Sequence, residues 1–165
     1  MAESIPARLA AQRLLVVGDV RLDEYIWGEC RRISAEAPVP VVEIGRRSYR
    51  PGGAANVAAN AVSLGAGAAL VGITGCDREA ALLKDEIAAL GVAPQGLLAD
   101  EARPTTTKTR VVAFQQQVVR LDAEKKLPLP QALEAAALRY VERLLPGATA
   151  CVISDYQKGV VTPAL

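Results

Sequence analysis

Short apolar runs alternating with helix-periodic segments set the pattern of this chain. Residues 13–18, Arg-Leu-Leu-Val-Val-Gly, form one such run closed by glycine, the form of a strand buried on both faces of a parallel sheet. Residues 67–75 and 149–154 repeat that character. Over 77–90, Ala80, Leu83, Ile87 and Leu90 recur on one helical face, with Asp77 as a start and Gly91 as a stop. A second amphipathic stretch, alanine-rich, runs over 129–145 between Pro128, Pro130 and the pair Pro146-Gly147. A third helix is predicted over 54–64, where alanines leave room for close packing and Asn56 and Asn60 share one face. Strands and helices in this order predict an α/β fold of βαβ units.

Two segments depart from this alternation and read as antiparallel β structure. In 25–49, Pro38 and Pro40 frame valines in the alternating run Val-Pro-Val-Val-Glu-Ile, paired with an earlier strand over 25–30. Strands that carry proline belong on sheet edges, so this insertion is expected outside the main sheet, as a flap over a ligand or a partner-binding surface. Residues 104–122 predict a hairpin rich in β-branched residues, turning over 114–117. Period-two geometry puts Lys108 and Arg110 on one face with Arg120 beside them, either a small basic patch for a phosphate or carboxylate or a solvated strand face.

Candidate chemistry gathers where the strands end. Ligands of open α/β sheets bind at the carboxyl ends of the strands, and the first strand delivers Asp19 and Asp23 there. Asp23 is a candidate acceptor for substrate hydroxyls, and Asp19 does the same or holds the turn; capping of the turn by both is the alternative. The stretch Arg50-Pro51-Gly52-Gly53-Ala54-Ala55-Asn56 combines a stiff entry, two residues without Cβ and a helix start. It reads as a turn that brings backbone N–H groups close to a ligand, or as a tight loop before a closely packed helix. Asp155, Tyr156 and Lys158 follow the third strand on the same side, unless they form a plain surface loop.

Composition narrows the chemistry. The 165 residues suffice for one domain with a real core, at 51% hydrophobic and 22% charged. Nineteen basic and eighteen acidic residues give a net charge of +1, so no global field favours nucleic acid or an anionic membrane. The chain has no histidine, and its three cysteines are far apart without a CxxC pair. That excludes Ser-His and Cys-His mechanisms and the usual zinc sites, leaving carboxylates, lysine or a substrate-borne group for catalysis. The cysteine usage, with no window of membrane-spanning length, points to the cytoplasm. No Walker A pattern occurs and no GxGxxG follows a strand. Thr162-Pro163 announces a helix just before the last residue, Leu165, so the expectation is the front part of a larger fold, a frayed terminus being the alternative.

Several segments, in order, carry a resemblance: Val17-Gly18-Asp19-Val20-Arg21-Leu22-Asp23, Ile33-Ser34-Ala35-Glu36-Ala37-Pro38-Val39-Pro40-Val41, Pro51-Gly52-Gly53-Ala54-Ala55-Asn56-Val57-Ala58, Thr107-Lys108-Thr109-Arg110, Gln116-Gln117, Arg120-Leu121-Asp122 and Ser154-Asp155-Tyr156-Gln157-Lys158-Gly159. Together they resemble the ribokinase-like carbohydrate kinases of the phosphofructokinase-B type, and within them the branch acting on D-glycero-beta-D-manno-heptose 7-phosphate. The resemblance implies part of a ribokinase-like three-layer sandwich over 13–165, behind an extension over 1–12. Its β lid would span about 25–49, with a hairpin over 105–122, and would often serve as a dimer clasp. By the same resemblance Asp23, Gly52, Gly53 and Asn56 hold sugar hydroxyls, Lys108 and Arg110 lie near the sugar phosphate, and Asp155 and Lys158 line the pocket.

The implied reaction is transfer of the γ-phosphoryl of ATP, with Mg²⁺, to the anomeric hydroxyl of the heptose phosphate, in ADP-heptose and lipopolysaccharide core synthesis. The implied partners are the sugar phosphate and a second copy, with neither nucleic acid nor membrane. The family's glycine-rich anion hole, its catalytic aspartate and most ATP and Mg²⁺ contacts belong to a second half that these residues do not include, so no catalytic or metal-binding residue is expected in them. A kinase for another sugar and a non-catalytic sugar-binding or dimerisation module are the alternatives. Two departures stand out: Ala35 replaces an expected proline, and Phe114-Gln115 occupies a place where this branch carries Arg-Asn.

Overall fold

Two four-stranded sheets organise residues 5–165, the part of the chain that the computed structural model describes. In chain order, helix α1 (Ile5–Ala10) precedes β1 (Arg13–Gly18), and the long strands β2 (Val20–Ile33) and β3 (Pro40–Gly53) lead into α2 (Ala54–Ser63). Strand β4 (Gly67–Thr74), helix α3 (Arg78–Ala89) and the short strand β5 (Leu97–Ala99) follow. Strands β6 (Thr107–Ala113) and β7 (Gln116–Ala123), helix α4 (Gln131–Leu144) and β8 (Ala150–Ser154) complete the order. Residues 1–4 of the expected extension lie outside the described residues.

The main sheet is parallel throughout, in the order β5-β4-β1-β8. Alternation along β1 assigns its two faces: Val16 points to α2 and α3 with Leu70, Leu83 and Ile87, while Leu15 and Val17 point to α4 with Val71 and Ala137. This is the three-layer arrangement expected. Each such fully buried Leu or Val stabilises the fold by roughly 1.5–3 kcal/mol. The small residues Ala54, Ala55, Ala58, Ala59 and Ala61 are the buried face of α2 and let it lie close against the sheet. Asp77 starts α3 as the sequence predicts, its side chain accepting the Ala80 N–H at 2.9 Å.

The second sheet, in the order β3-β2-β6-β7, is the lid. Strands β2 and β3 pair antiparallel from Val20 opposite Gly53 to Ile33 opposite Pro40, while β6 runs parallel to β2 on its other side. The lid is therefore wider than 25–49, because the hairpin expected as a separate element adds its two strands to the same sheet. Strand β3 lies at an edge, where Pro40 and Pro51 have no second neighbour to supply with an N–H.

Three local features differ from the sequence expectation. Arg50, Pro51 and Gly52 do not form a turn, because the β2–β3 ladder continues through them, opposite Asp23, Leu22 and Arg21. The chain bends only at Gly53 (φ 61°), after which the Ala54 N–H donates to the Asp19 carbonyl at 2.9 Å. The hairpin turn is two residues, Phe114 and Gln115, both left-handed at φ 52° and 61°, as the twist of a tight hairpin demands, so Gln116 and Gln117 already belong to β7. Strand β5, too short to leave a periodic signature, pairs with Gly72–Thr74 of β4. Thr162, expected to start a helix, caps a turn, its hydroxyl accepting the Ala164 and Leu165 N–H groups at 3.3 and 3.2 Å.

Candidate functional site

A cleft of about 210 Å³ opens where β1 ends and β2 begins. From the main sheet it is walled by Asp19, Tyr156 and Lys158, and from the lid by Arg21, Gly53, Thr106 and Lys108. The buried Asp19 carboxylate is fully engaged. One oxygen accepts the Tyr156 and Lys158 N–H groups at 2.7 and 3.1 Å, and the other accepts the Val160 N–H at 3.2 Å. Asp19 therefore holds the loop that follows β8, a role in place of holding the turn after its own strand.

On the lid side, Arg21 and Asp23 alternate along β2 and face Lys108 and Arg110 of β6. Asp23 accepts from Arg21 Nε at 3.1 Å and from Arg110 at 2.8 Å. Asp122 accepts from Lys108 and Arg120, both at 2.8 Å. The three cations do share a face, as the period-two pattern predicts, but the face is an alternating network of charges rather than a bare basic patch. Its acids answer to their neighbours. The Lys108 ammonium, and after it Arg120, hold the Asp122 carboxyl below the usual carboxylate range. Burial works against the charge on Arg110, yet its bond to Asp23 and the Asp23 charge keep its guanidinium above the ordinary value.

The glycines are sites of close approach. A Cβ on Gly52 would overlap the Asp23 carboxylate and the Arg21 side chain, and one on Gly53 would overlap the Asp19 carbonyl. Lys158 lines the cleft while donating to Glu124 at 2.7 Å, which holds the Glu124 carboxyl below its ordinary value. Asp155 is exposed and accepts the Gln157 N–H at 2.7 Å, shaping the turn that carries Tyr156 and Lys158. Asn56 is exposed in the first turn of α2 and is not part of the cleft wall.

A family model described as pfkB family carbohydrate kinase matches residues 11–156. The chain belongs to that family. It is 44% identical over 153 residues to "Bifunctional protein HldE" of Desulfatibacillum aliphaticivorans, covering 93% of this chain and 31% of the relative. It is 47% identical over 153 residues to the protein of the same name from Azorhizobium caulinodans, covering 92% and 32%. The chain thus spans about a third of the length of these curated relatives. Among solved structures, Arabidopsis thaliana ribokinase complexed with ribose and ATP superposes with a TM-score of 0.59 at 18% identity, over 87% of this chain and 45% of that one. A likeness at that identity shows the fold, and it agrees with the three layers and lid described above.

In this pfkB-family chain, Arg21, Thr106 and Glu124 belong to the cleft and its support although the sequence singled out none of them as a site. Arg21 was hidden because 19–23 read as the turn after β1; once β2 is seen to start at Val20, its alternation with Asp23 is plain. Arg103 had no periodic signal at all. It pairs with Asp100 at 2.7 Å, both side chains 6% exposed, and its remaining donors reach the carbonyls of Leu127 (3.0 Å) and Lys158 (3.3 Å). One buried side chain thus joins the loops before β6, after β7 and after β8. Among the described residues no group of three or more His, Cys, Asp or Glu is placed to hold a metal ion, and no helix is long and apolar enough to cross a membrane.

Proposed function

We propose that the chain is the sugar-binding, lid-bearing part of an ATP-dependent kinase that phosphorylates the anomeric hydroxyl of D-glycero-beta-D-manno-heptose 7-phosphate, in ADP-heptose and lipopolysaccharide core synthesis. The observation that carries the reading is the cleft at the carboxyl end of β1, whose lid-side Arg21 bonds the neighbouring Asp23, which Arg110 also bridges. A carboxylate offers about four lone-pair sites, so after its bonds to Arg21 and Arg110, Asp23 keeps acceptor capacity for sugar hydroxyls. Lys108 and Lys158 on the cleft wall supply positive charge toward the phosphate. Gly52 and Gly53 let the backbone of β3 come up against this wall. ATP and Mg²⁺ are implied by the family, with ATP supplying the phosphoryl group. The proposed work of the described residues is binding and orienting the sugar.

Calorimetric titration of the 165-residue chain tests the reading. Heptose 7-phosphate is expected to bind at least tenfold tighter than ribose or fructose 6-phosphate, with no ADP released when ATP is added. Equal affinity for all three sugars overturns the substrate assignment, and substrate-dependent ADP release overturns the restriction to binding. The lid also supports self-association. Ile33, Val119 and Leu121 stand exposed on it, and Val39, Val42, Val111 and Val118 line an apolar groove of about 420 Å³. A second copy of the chain packing on this sheet is the proposed occupant. The unpaired cysteines Cys30, Cys76 and Cys151 are in keeping with a reducing cytoplasm.

A further inference from the structure

Four cations lie at or beside the cleft, and three of them are committed. Lys108 is held by Asp122, Lys158 by Glu124, and Arg110 by Asp23 through a terminal nitrogen. Arg21 differs. Only its Nε is engaged, by the two oxygens of Asp23 at 3.2 and 3.1 Å, and among the described residues neither of its terminal nitrogens has a hydrogen-bond partner. Its guanidinium lies 5.6 Å from the centre of the Tyr156 ring, so it is fixed at its base by a carboxylate and steadied on its face by an aromatic ring. The side chain is 25% exposed and forms part of the cleft wall.

A planar fork with two unspent nitrogens, pre-oriented in this way, matches two oxygens of a phosphate monoester. Lys108 has no planar fork to offer, and Arg110, whose hydrogen bonds likewise engage a single nitrogen, is not among the residues that wall the cleft. Asp19, the carboxylate among the residues that wall the cleft, is satisfied by three backbone N–H groups, which offset its repulsion of an anion. We propose that Arg21 is the specificity-determining residue of the cleft, binding the phosphate of the sugar phosphate through its terminal nitrogens and so separating phosphorylated from plain sugars. The assignment of the ligand as a sugar phosphate rests on the function proposed above; the anion-binding role of Arg21 rests on its own geometry.

The test is titration of the 165-residue chain and its Arg21→Met, Arg21→Lys and Lys108→Met variants with inorganic phosphate, heptose 7-phosphate and unphosphorylated heptose, with circular dichroism to confirm folding. Arg21→Met is expected to weaken inorganic phosphate and heptose 7-phosphate tenfold or more and plain heptose less than twofold. Arg21→Lys, which keeps the charge but loses the fork, should fall between, and Lys108→Met should lose less than Arg21→Met. If Arg21→Met does not fold, a threefold or greater loss confined to phosphorylated ligands in Arg21→Lys supports the proposal, and no loss overturns it. Equal loss for both heptoses makes Arg21 a strut for Asp23 and overturns it as well. A wild-type chain that binds phosphate through Arg21 but takes no heptose supports the anion site while refuting the substrate. Binding of heptose 7-phosphate that is indifferent to Arg21 refutes this inference alone.

Discussion

Arg103 and Asp100 carry opposite charges into a nearly dry part of the protein, and the guanidinium also satisfies carbonyls on two other loops. Removing one member leaves the other charged and buried, which costs about 3–5 kcal/mol, far more than the pair contributes relative to a well-packed apolar substitute. Arg103→Leu is therefore expected to lower the urea midpoint sharply, and the double variant Asp100→Leu/Arg103→Leu to recover part of the loss. A double variant less stable than either single one would contradict this account. Asp23→Asn probes the ligand instead. If Asp23 accepts sugar hydroxyls, losing its charge weakens sugar binding by roughly 1.5–3 kcal/mol. Calorimetry should find ATP binding, if any, unaffected; equal losses for sugar and ATP would assign Asp23 to the scaffold.

At the level of elements, one acid links a helix to the lid hairpin. Asp77 caps α3 and also accepts the Thr105 N–H and hydroxyl at 2.7 and 2.6 Å, two residues before β6 begins. Burial opposes its charge, but the bonds from Thr105 and Ala80 outweigh that and hold its carboxyl below the ordinary range. Asp100 behaves alike: burial opposes its charge, and the Ala102 N–H and Arg103 prevail. With Asp122 and Glu124, every shifted carboxyl among the described residues is depressed in the fold. Their stabilisation is therefore complete above the unfolded carboxylate values of about 4 and is lost as pH falls through the lower folded values. Urea midpoints are expected to stay level from pH 7 to 5 and to fall below about pH 4. Asp77→Ala should cost about 2 kcal/mol at neutral pH, the upper range for a cap, and should make the acid fall shallower. A midpoint that rises on acidification would refute the assignment.

For the whole molecule, two of the exposed apolar regions among the described residues bear on self-association. On the lid, Leu121 is 56% exposed beside Val119. If a second copy covers this sheet, Leu121→Asp is expected to shift sedimentation equilibrium toward monomer while leaving the unfolding midpoint of the monomer nearly unchanged. On the main sheet, β8 pairs only with β1 among the described residues, and Ile153 on it is 57% exposed. An unpaired edge with an apolar side chain invites strand addition, so Ile153→Lys should raise solubility. Unchanged solubility would show that this edge is not where copies meet.

How far the sequence reaches depends on the range of the forces involved. The apolar run of β1, the i, i+3, i+7 face and Asp77 cap of α3, and the small residues of α2 were legible because local periodicity and capping chemistry decide them. So was the period-two placement of Lys108 and Arg110 on one face. The tertiary structure decided what those residues touch. Strand β2 already runs through Val20–Asp23 and β3 through Arg50–Gly53 because each is the other's ladder partner, and no pattern within either segment specifies that register. The charges of the presumed basic patch are balanced by Asp23 and Asp122, which meet them only when β2, β6 and β7 lie side by side. Arg103 and Tyr156 gain their roles from partners 24 to 137 residues away, across contacts that only the closed fold creates.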